Sequence, residues 1–391
     1  MALQDALDKQ FDKTLPDRLD RIAKLLEKND IKPEDVGKIG RIKNIQLKDW
    51  QMGSTDADGN PQVTDLNGTT IQIDPRWAEG PDWPVVQPAR PLTVKPTKST
   101  RKHTSGWYTA VILPDPQIGY RRFEDGTMDP FHDEAAMNVA LQIVRSLRPD
   151  VIVNLGDVMD LPEFGTYEQE PAFAFTTQPT LDRTSLFFAE QRANAPEAEI
   201  SYIEGNHDRR LQKSIIKNAK SAFGLRVANS APESWPVLSI PHLLNLDSIG
   251  VEYIQGYPAG EKWINDNLVC IHGSKVKSAG STASLVIDDE RVSVIFGHVH
   301  RIELQHKTRR TRAGAKRNFS ATPGCLCRTD GAVPSTKSST DCMGRALTSW
   351  ENWQQGLGVV RFQEGDGRFN LEIVPIYDGT AIFRDKEFTA T

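Results

Sequence analysis

Acidic, amide and imidazole side chains recur through the middle of the chain in one local context: Asp115-x-Gln117, Gly156-Asp157-x-x-Asp160, Gly205-Asn206-His207-Asp208, His272 and Gly297-His298-x-His300. Singly, each is weak, because Gly-Asp and Gly-Asn are common turns and one histidine is more often a satisfied structural residue than a ligand. Jointly they are specific, since packing alone gives no reason to set this mixture after five successive apolar runs. Oxygen and imidazole donors are what divalent cations take. Metal-dependent chemistry is the expectation.

The elements that must position these groups are legible in the runs that precede them. WYTAVIL leads into Pro114-Asp115, VIVNL into Gly156-Asp157, ISYIE into Gly205-Asn206-His207, LVCI into His272-Gly273 and VSVIF into Gly297-His298. Runs of β-branched residues closed by turn formers predict strands covered on both faces, as in a layered α/β architecture. Between the first two strands, Ala136, Val139, Ala140, Ile143, Val144 and Leu147 fall at helical spacing and the pattern stops at Pro149, which makes a strand-helix-strand unit. In such sheets the functional crevice lies outside the carboxyl ends of the strands, where these polar groups fall.

The ordered set closely resembles the motifs of the calcineurin-like metallophosphoesterase superfamily (D-x-H, GDxxD, GNH[D/E], H and GHxH) over roughly residues 109–302. Within it, the catalytic core resembles DNA-repair nucleases and uncharacterised phage-type phosphoesterases. The resemblance implies an α/β fold, a four-layer αββα sandwich with a small N-terminal helical appendage. It implies two divalent ions, Mn2+ foremost, with Mg2+, Zn2+ or Fe as alternatives. Asp115, Gln117 and His300 would hold the first ion and Asn206, His272 and His298 the second, with Asp157 bridging. A metal-activated water would attack phosphorus, His207 would assist the leaving oxygen and Asp160 would orient His207. Gln117 departs from the pattern, since most members carry histidine there. An amide oxygen donates more weakly than imidazole, which implies a first site favouring Mn2+ or Mg2+, or one partly degenerate.

Substrate is less legible. Arg209 and Arg210 read equally well as phosphate contacts or as the solvated start of the helix LQKSIIKNAK. In HKTRRTRAGAKRNF, Lys307, Arg309, Arg310, Arg312, Lys316 and Arg317 concentrate positive charge in a chain of net charge −5. Arg309, Arg310 and Arg312 are candidate nucleic-acid contacts through backbone neutralisation; a solvated loop is the other reading. Trp350 and Trp353 could stack on bases, although tryptophans three apart on a helix more often bury one face. A phosphodiesterase or nuclease acting on nucleic acid is the leading function. An enzyme of small nucleotides, cyclic nucleotides or phosphomonoesters is a second, and a binding or assembly module with a vestigial metal site a third. Protein-phosphatase activity fits less well, because Leu161 and Asp208 stand where those enzymes carry Arg and Glu.

The remaining chain sets the frame. Residues 1–50 are expected to form a small helical region with Leu19, Ile22, Leu25 and Leu26 on one face; residues 51–106 a hairpin and a Pro/Lys/Thr-rich linker or arm, with DADGNPQ and LNGTT as turns; residues 107–391 the catalytic domain. The first residues lack the apolar core of a signal peptide and no stretch approaches the roughly 18 apolar residues of a membrane span. A cytoplasmic protein without membrane contact is therefore expected. Its four cysteines contain no CxxC pair and read as reduced thiols.

Overall fold

The computed structural model describes residues 20–32, 36, 40–55, 61–75, 92–97, 105–166, 169–278, 280–312, 314–335, 339–340, 346–347 and 350–390. The chain divides into two compact units, Met1–Trp83 and Pro84–Thr391. In the first, a helix covers residues 20–28, as the spacing of Ile22, Leu25 and Leu26 predicts; the expected second helix lies almost wholly outside the described residues. Strands Gly40–Thr55 and Pro61–Pro75 then pair antiparallel. Two expectations are corrected here. The hairpin begins at Gly40, inside the stretch read as helical, and Leu66-Asn67-Gly68 is strand, not turn, with Gly68 opposite Lys48. A Cβ on Gly68 would meet the Trp50 ring at 3.2 Å, so the glycine accommodates an indole from the partner strand.

The second unit is built on two sheets. The first has the order β11-β10-β1-β2-β3-β4, from Phe369–Ile376 (β11), Gln355–Phe362 (β10), Tyr108–Leu113 (β1), Val151–Asn154 (β2), Glu199–Ile203 (β3) and Val251–Ile254 (β4). Strands β1 to β4 are parallel, and β10 and β11 add antiparallel at one edge. The second sheet has the order β8-β9-β7-β6-β5, from Ile302–Thr311 (β8), Gly314–Pro323 (β9), Ser293–Phe296 (β7), Leu268–Ile271 (β6) and Glu261–Asn265 (β5).

Packing makes this a four-layer αββα sandwich. Ile112, Val153, Ile203 and Val360 of the first sheet close onto Cys270, Ile295 and Ala321 of the second in one buried cluster. Helices α1 (Glu134–Leu147), α2 (Thr177–Asn194) and α3 (Arg209–Asn218) cover the outer face of the first sheet, and α4 (Thr282–Asp289) covers that of the second. The α1 stripe behaves as its spacing predicts: Ala136, Val139, Ala140, Ile143 and Val144 are fully buried. Asp133 caps the helix, its carboxylate accepting from the Ala135 and Ala136 amides. Of the linker, residues 92–97 lie along this unit, with Val94 against the main core and the Thr97 amide donating to Pro196 O at 3.1 Å. Among the described residues no helix is long and apolar enough to cross a membrane.

Candidate metal centre

Strands β1, β2, β3, β6 and β7 end at one edge of the sandwich, and each delivers its motif there. The loops are cross-braced by backbone hydrogen bonds: the Gln117 amide donates to Asp157 O, Ile118 to Val158 O, and Gly297 to His272 O. Gly156, at φ +98, turns the chain where a Cβ would collide with His272 Nδ1 and Ile203 O at 2.8 Å. The glycines of the other two motifs serve close approach, since a Cβ on Gly205 would reach 2.1 Å from Asp157 Oδ1 and one on Gly297 2.4 Å from Asp115 Oδ2. Asp115, Gln117, Asp157, His298 and His300 all take left-handed backbone angles, φ 40 to 71. For non-glycine residues this costs on the order of 1–3 kcal/mol each, and such strain gathers at functional sites.

All seven sequence-predicted ligands converge. On one side, Asp157, His272 and His298 bring one donor atom each within 4.8 Å of one another. His272 Nδ1 donates to Leu155 O at 2.8 Å, which fixes the tautomer and aims Nε2 at Asn206 Oδ1 (3.0 Å) and Asp157 Oδ2 (3.2 Å). On the other side, His300 Nε2 lies 3.4 Å from Asp115 Oδ1 and 3.3 Å from Gln117 Nε2, which in turn is 3.4 Å from the same Asp157 Oδ2. That one oxygen therefore faces both groups of donors, while Asp157 Oδ1 accepts from the His207 amide at 2.7 Å.

The donor set fits divalent cations. Gln117 Oε1 is buried without a hydrogen-bond partner, an acceptor that a cation would satisfy. Burial would push the Asp157 carboxyl up, but the neighbouring His272, foremost, and His207 hold it below the usual carboxylate range. His272 rises to about 9 despite burial, drawn by the carboxylates of Asp157 and Asp115. Burial and the neighbouring His272 lower His298 to about 4. A proton on His272 thus supplies part of the positive charge that the clustered carboxylates demand.

His207 and Asp160 stand beside this centre as predicted, with His207 Nδ1 2.7 Å from Asp160 Oδ1. Arg210 is not a solvated helix start. It is buried, donating from Nη1 to Asp160 Oδ1 at 2.8 Å and from Nη2 to His207 Nε2 at 3.1 Å. Arg209 is tied to Tyr257 O. Behind them Asp208, whose carboxyl burial and Asp157 push up to about 7, accepts from Tyr202 Oη, Gly205 N and Met159 N.

Three features escaped sequence reasoning. Trp353 sits in irregular chain, not on a helix, with its ring edge-on to His300 at 4.2 Å, while Trp350 is 78% exposed. Residues 353–354 are tied to the neighbouring loops, Gln354 N donating to His300 O and Cys325 N to Gln354 O. Cys325 and Cys327 lie buried under His300, Cys327 Sγ 3.8 Å from Nδ1; a Cys-x-Cys pair was the available signal. Burial and Cys325 raise the Cys327 thiol well above its ordinary value, which keeps it protonated. Cys270, Cys325 and Cys327 are free thiols, and Cys342 lies outside the described residues.

The basic segment is a β-hairpin, β8 and β9, not a solvated loop. Lys307 pairs with Asp288, and Arg309 donates to Ile287 O. Arg310 and Arg312 are exposed near the tip. From His300, nine residues at about 3.3 Å each place Arg309 roughly 30 Å from the metal centre along the strand.

No protein-family model matches the chain. The Gene 54 protein of Mycobacterium phage L5 is 25% identical over 281 residues, 69% of this chain and 94% of that protein. Gene 54 protein of Mycobacterium phage D29 is 25% identical over 278 residues, with the same coverage of 69% and 94%. Among solved structures, the E. coli phosphoesterase YfcE aligns over 72% of this chain and 100% of its own, at 10% identity and a TM-score of 0.28. A likeness of that size carries no argument, so function rests on the site itself.

Proposed function

We propose that the chain is a phosphoester hydrolase dependent on two divalent cations, Mn2+ foremost, and that its substrate is a phosphodiester of nucleic acid. The observation that supports the reading is Asp157 Oδ2, which lies between the two groups of residues, 3.2 Å from His272 Nε2 and 3.4 Å from Gln117 Nε2. Asp115, Gln117 and His300 hold one ion; Asn206, His272 and His298 hold the other. When bound, the pair activates water for in-line attack and neutralises charge on the phosphoryl group.

The chain's own residues do the remaining work. Asp160 fixes the His207 ring through Nδ1, leaving Nε2 toward the reacting group. Arg210 donates to that Nε2, so proton donation to a departing oxygen requires this contact to open. Its guanidinium then adds positive charge beside the phosphoryl oxygens. The basic hairpin supports a polymeric substrate, because its six cations, without one acidic residue between Gln305 and Asn318, begin about 20 Å along the strand from His300, too far for a small ester to touch both.

Metal analysis by mass spectrometry and a substrate panel test the reading. Expected are about two ions per chain and Mn2+-dependent cleavage of bis-p-nitrophenyl phosphate and of DNA, abolished by chelator. Turnover of p-nitrophenyl phosphate or cyclic nucleotides but not of DNA would replace the substrate class. Protein free of metal and inert toward every ester with Mn2+ would leave a binding module.

A further inference from the structure

A shallow cleft is bounded by α3 and the irregular segment that follows it. Its walls carry the rings of Phe223, Trp235 and Tyr253, and Gln212 and Gln255 stand among its lining residues as exposed amides. Phe223 is 51% exposed, an unusual setting for a large apolar side chain. The Trp235 and Tyr253 rings meet edge to face at 6.1 Å.

Glu204 joins this cleft to the site. Its carboxylate accepts from Tyr253 Oη at 3.1 Å and from the Gly256 and Tyr257 amides at 2.9 Å each, which fixes the turn over 255–257. Gln255 lines the cleft, and the Tyr257 ring lies 5.7 Å from that of His272. Two residues span at most about 7 Å of chain, so one turn walls both compartments. A ligand reaching from one to the other would join an anionic group to a flat ring with polar edges.

We propose that the cleft is a subsite for the base of the nucleotide adjoining the cleaved bond, stacked against Trp235 and Phe223 and hydrogen-bonded by Gln212 and Gln255. This rests on the phosphodiester reading above. Aromatic walls with a few polar groups suit a base of any identity, because every base offers a π-face.

The test compares p-nitrophenyl esters of thymidine 5′-phosphate and 3′-phosphate with methyl p-nitrophenyl phosphate, which has the same charge and leaving group but no base. In Trp235→Ala, kcat/KM for at least one nucleoside ester falls about tenfold, as loss of one stacking contact implies, while the methyl ester changes by less than about twofold. Trp235→Phe retains most of the selectivity. Equal losses on all esters, or none, overturn the subsite. A second readout needs no turnover: thymidine 5′-monophosphate quenches wild-type tryptophan fluorescence more than that of Trp235→Phe. If the wild type hydrolyses no ester, the hydrolase reading falls, and equal quenching of the two proteins would still refute the subsite separately.

Discussion

Alanine at position 205 is the sharpest probe of the centre, because its effect is steric and computable. The new Cβ would lie 2.1 Å from Asp157 Oδ1, 2.3 Å from Asp157 N and 2.8 Å from Asp157 Cγ, where real contacts stay above 3.0 Å. The carboxylate must therefore retreat by about 3.0 − 2.1 = 0.9 Å. Rotating the side chain does not suffice, because the Asp157 backbone nitrogen is blocked as well, so the ends of β2 and β3 must part. Overpacking of this kind costs about 1–3 kcal/mol, and misplacing a reacting group by about 1 Å costs about 10²-fold in rate. Expected for Gly205→Ala are a loss of at least about 10²-fold in bis-p-nitrophenyl phosphate hydrolysis and metal content falling from two ions toward none. The stabilisation by Mn2+, about 2.7 kcal/mol per site at a hundredfold excess over Kd, should vanish from thermal melts. Gly53→Ala, with nothing within 4 Å of its Cβ, is the control. A Gly205→Ala protein that binds two ions and turns over normally would refute the placement of Asp157.

Gln117→Ala is expected to leave one ion per chain, read by metal analysis, with hydrolysis reduced about 10- to 100-fold, whereas Gln117→His keeps both; loss of metal in the histidine variant would contradict the assignment of the first site. Replacing Arg310, Arg312, Lys316 and Arg317 by alanine should weaken DNA binding and flatten the salt dependence of log K by up to about 0.9 per lost phosphate contact, leaving bis-p-nitrophenyl phosphate hydrolysis unchanged; an unaltered slope would remove the hairpin from the interface. Burial pushes the Glu134 carboxyl up, but paired bonds from Arg183 at 2.7 Å and the contact with His132 hold it well below its ordinary 4.5. A lowered folded value means stability present above about pH 4.5 and lost as pH falls through the folded value. Denaturation of Glu134→Gln should therefore show a deficit under about 1 kcal/mol at pH 7, small because the side chain is 55% exposed, that shrinks steadily in acid.

Legibility depended on whether the signal was local. The parallel strands announce themselves through β-branched runs, and their motifs through the glycines and polar residues that close each run, so the edge where Asp115 and His300 meet can be placed from topology alone. The α1 stripe was equally local. The N-terminal hairpin misled because Asn67-Gly68 has turn chemistry, and only the Trp50 ring across the ladder explains a glycine inside a strand. Arg210 was ambiguous because charge at a helix start is ordinarily solvated; its burial is set by Asp160 and His207, fifty and three residues away. Trp353 and Cys327 converge on His300 from separate loops, a juxtaposition with no period to read.

The same long-range contacts bear on the choice between a working centre and a relic. A site released from function keeps its strands, whose packing stabilises the fold, but gains nothing by holding five donors at left-handed angles. Relaxing them would recover strain of about 1–3 kcal/mol apiece. Instead four of the donor residues are braced from behind: His272 by Leu155 O, Asp115 by the His298 amide at 3.0 Å, Asp157 by the His207 amide at 2.7 Å, and His300 by the Trp353 ring. These braces hold the carboxylates of Asp115 and Asp157 turned inward, where positive charge relieves their mutual repulsion. Strain and repulsion maintained together are intelligible if cations bound at this point return more free energy than both consume.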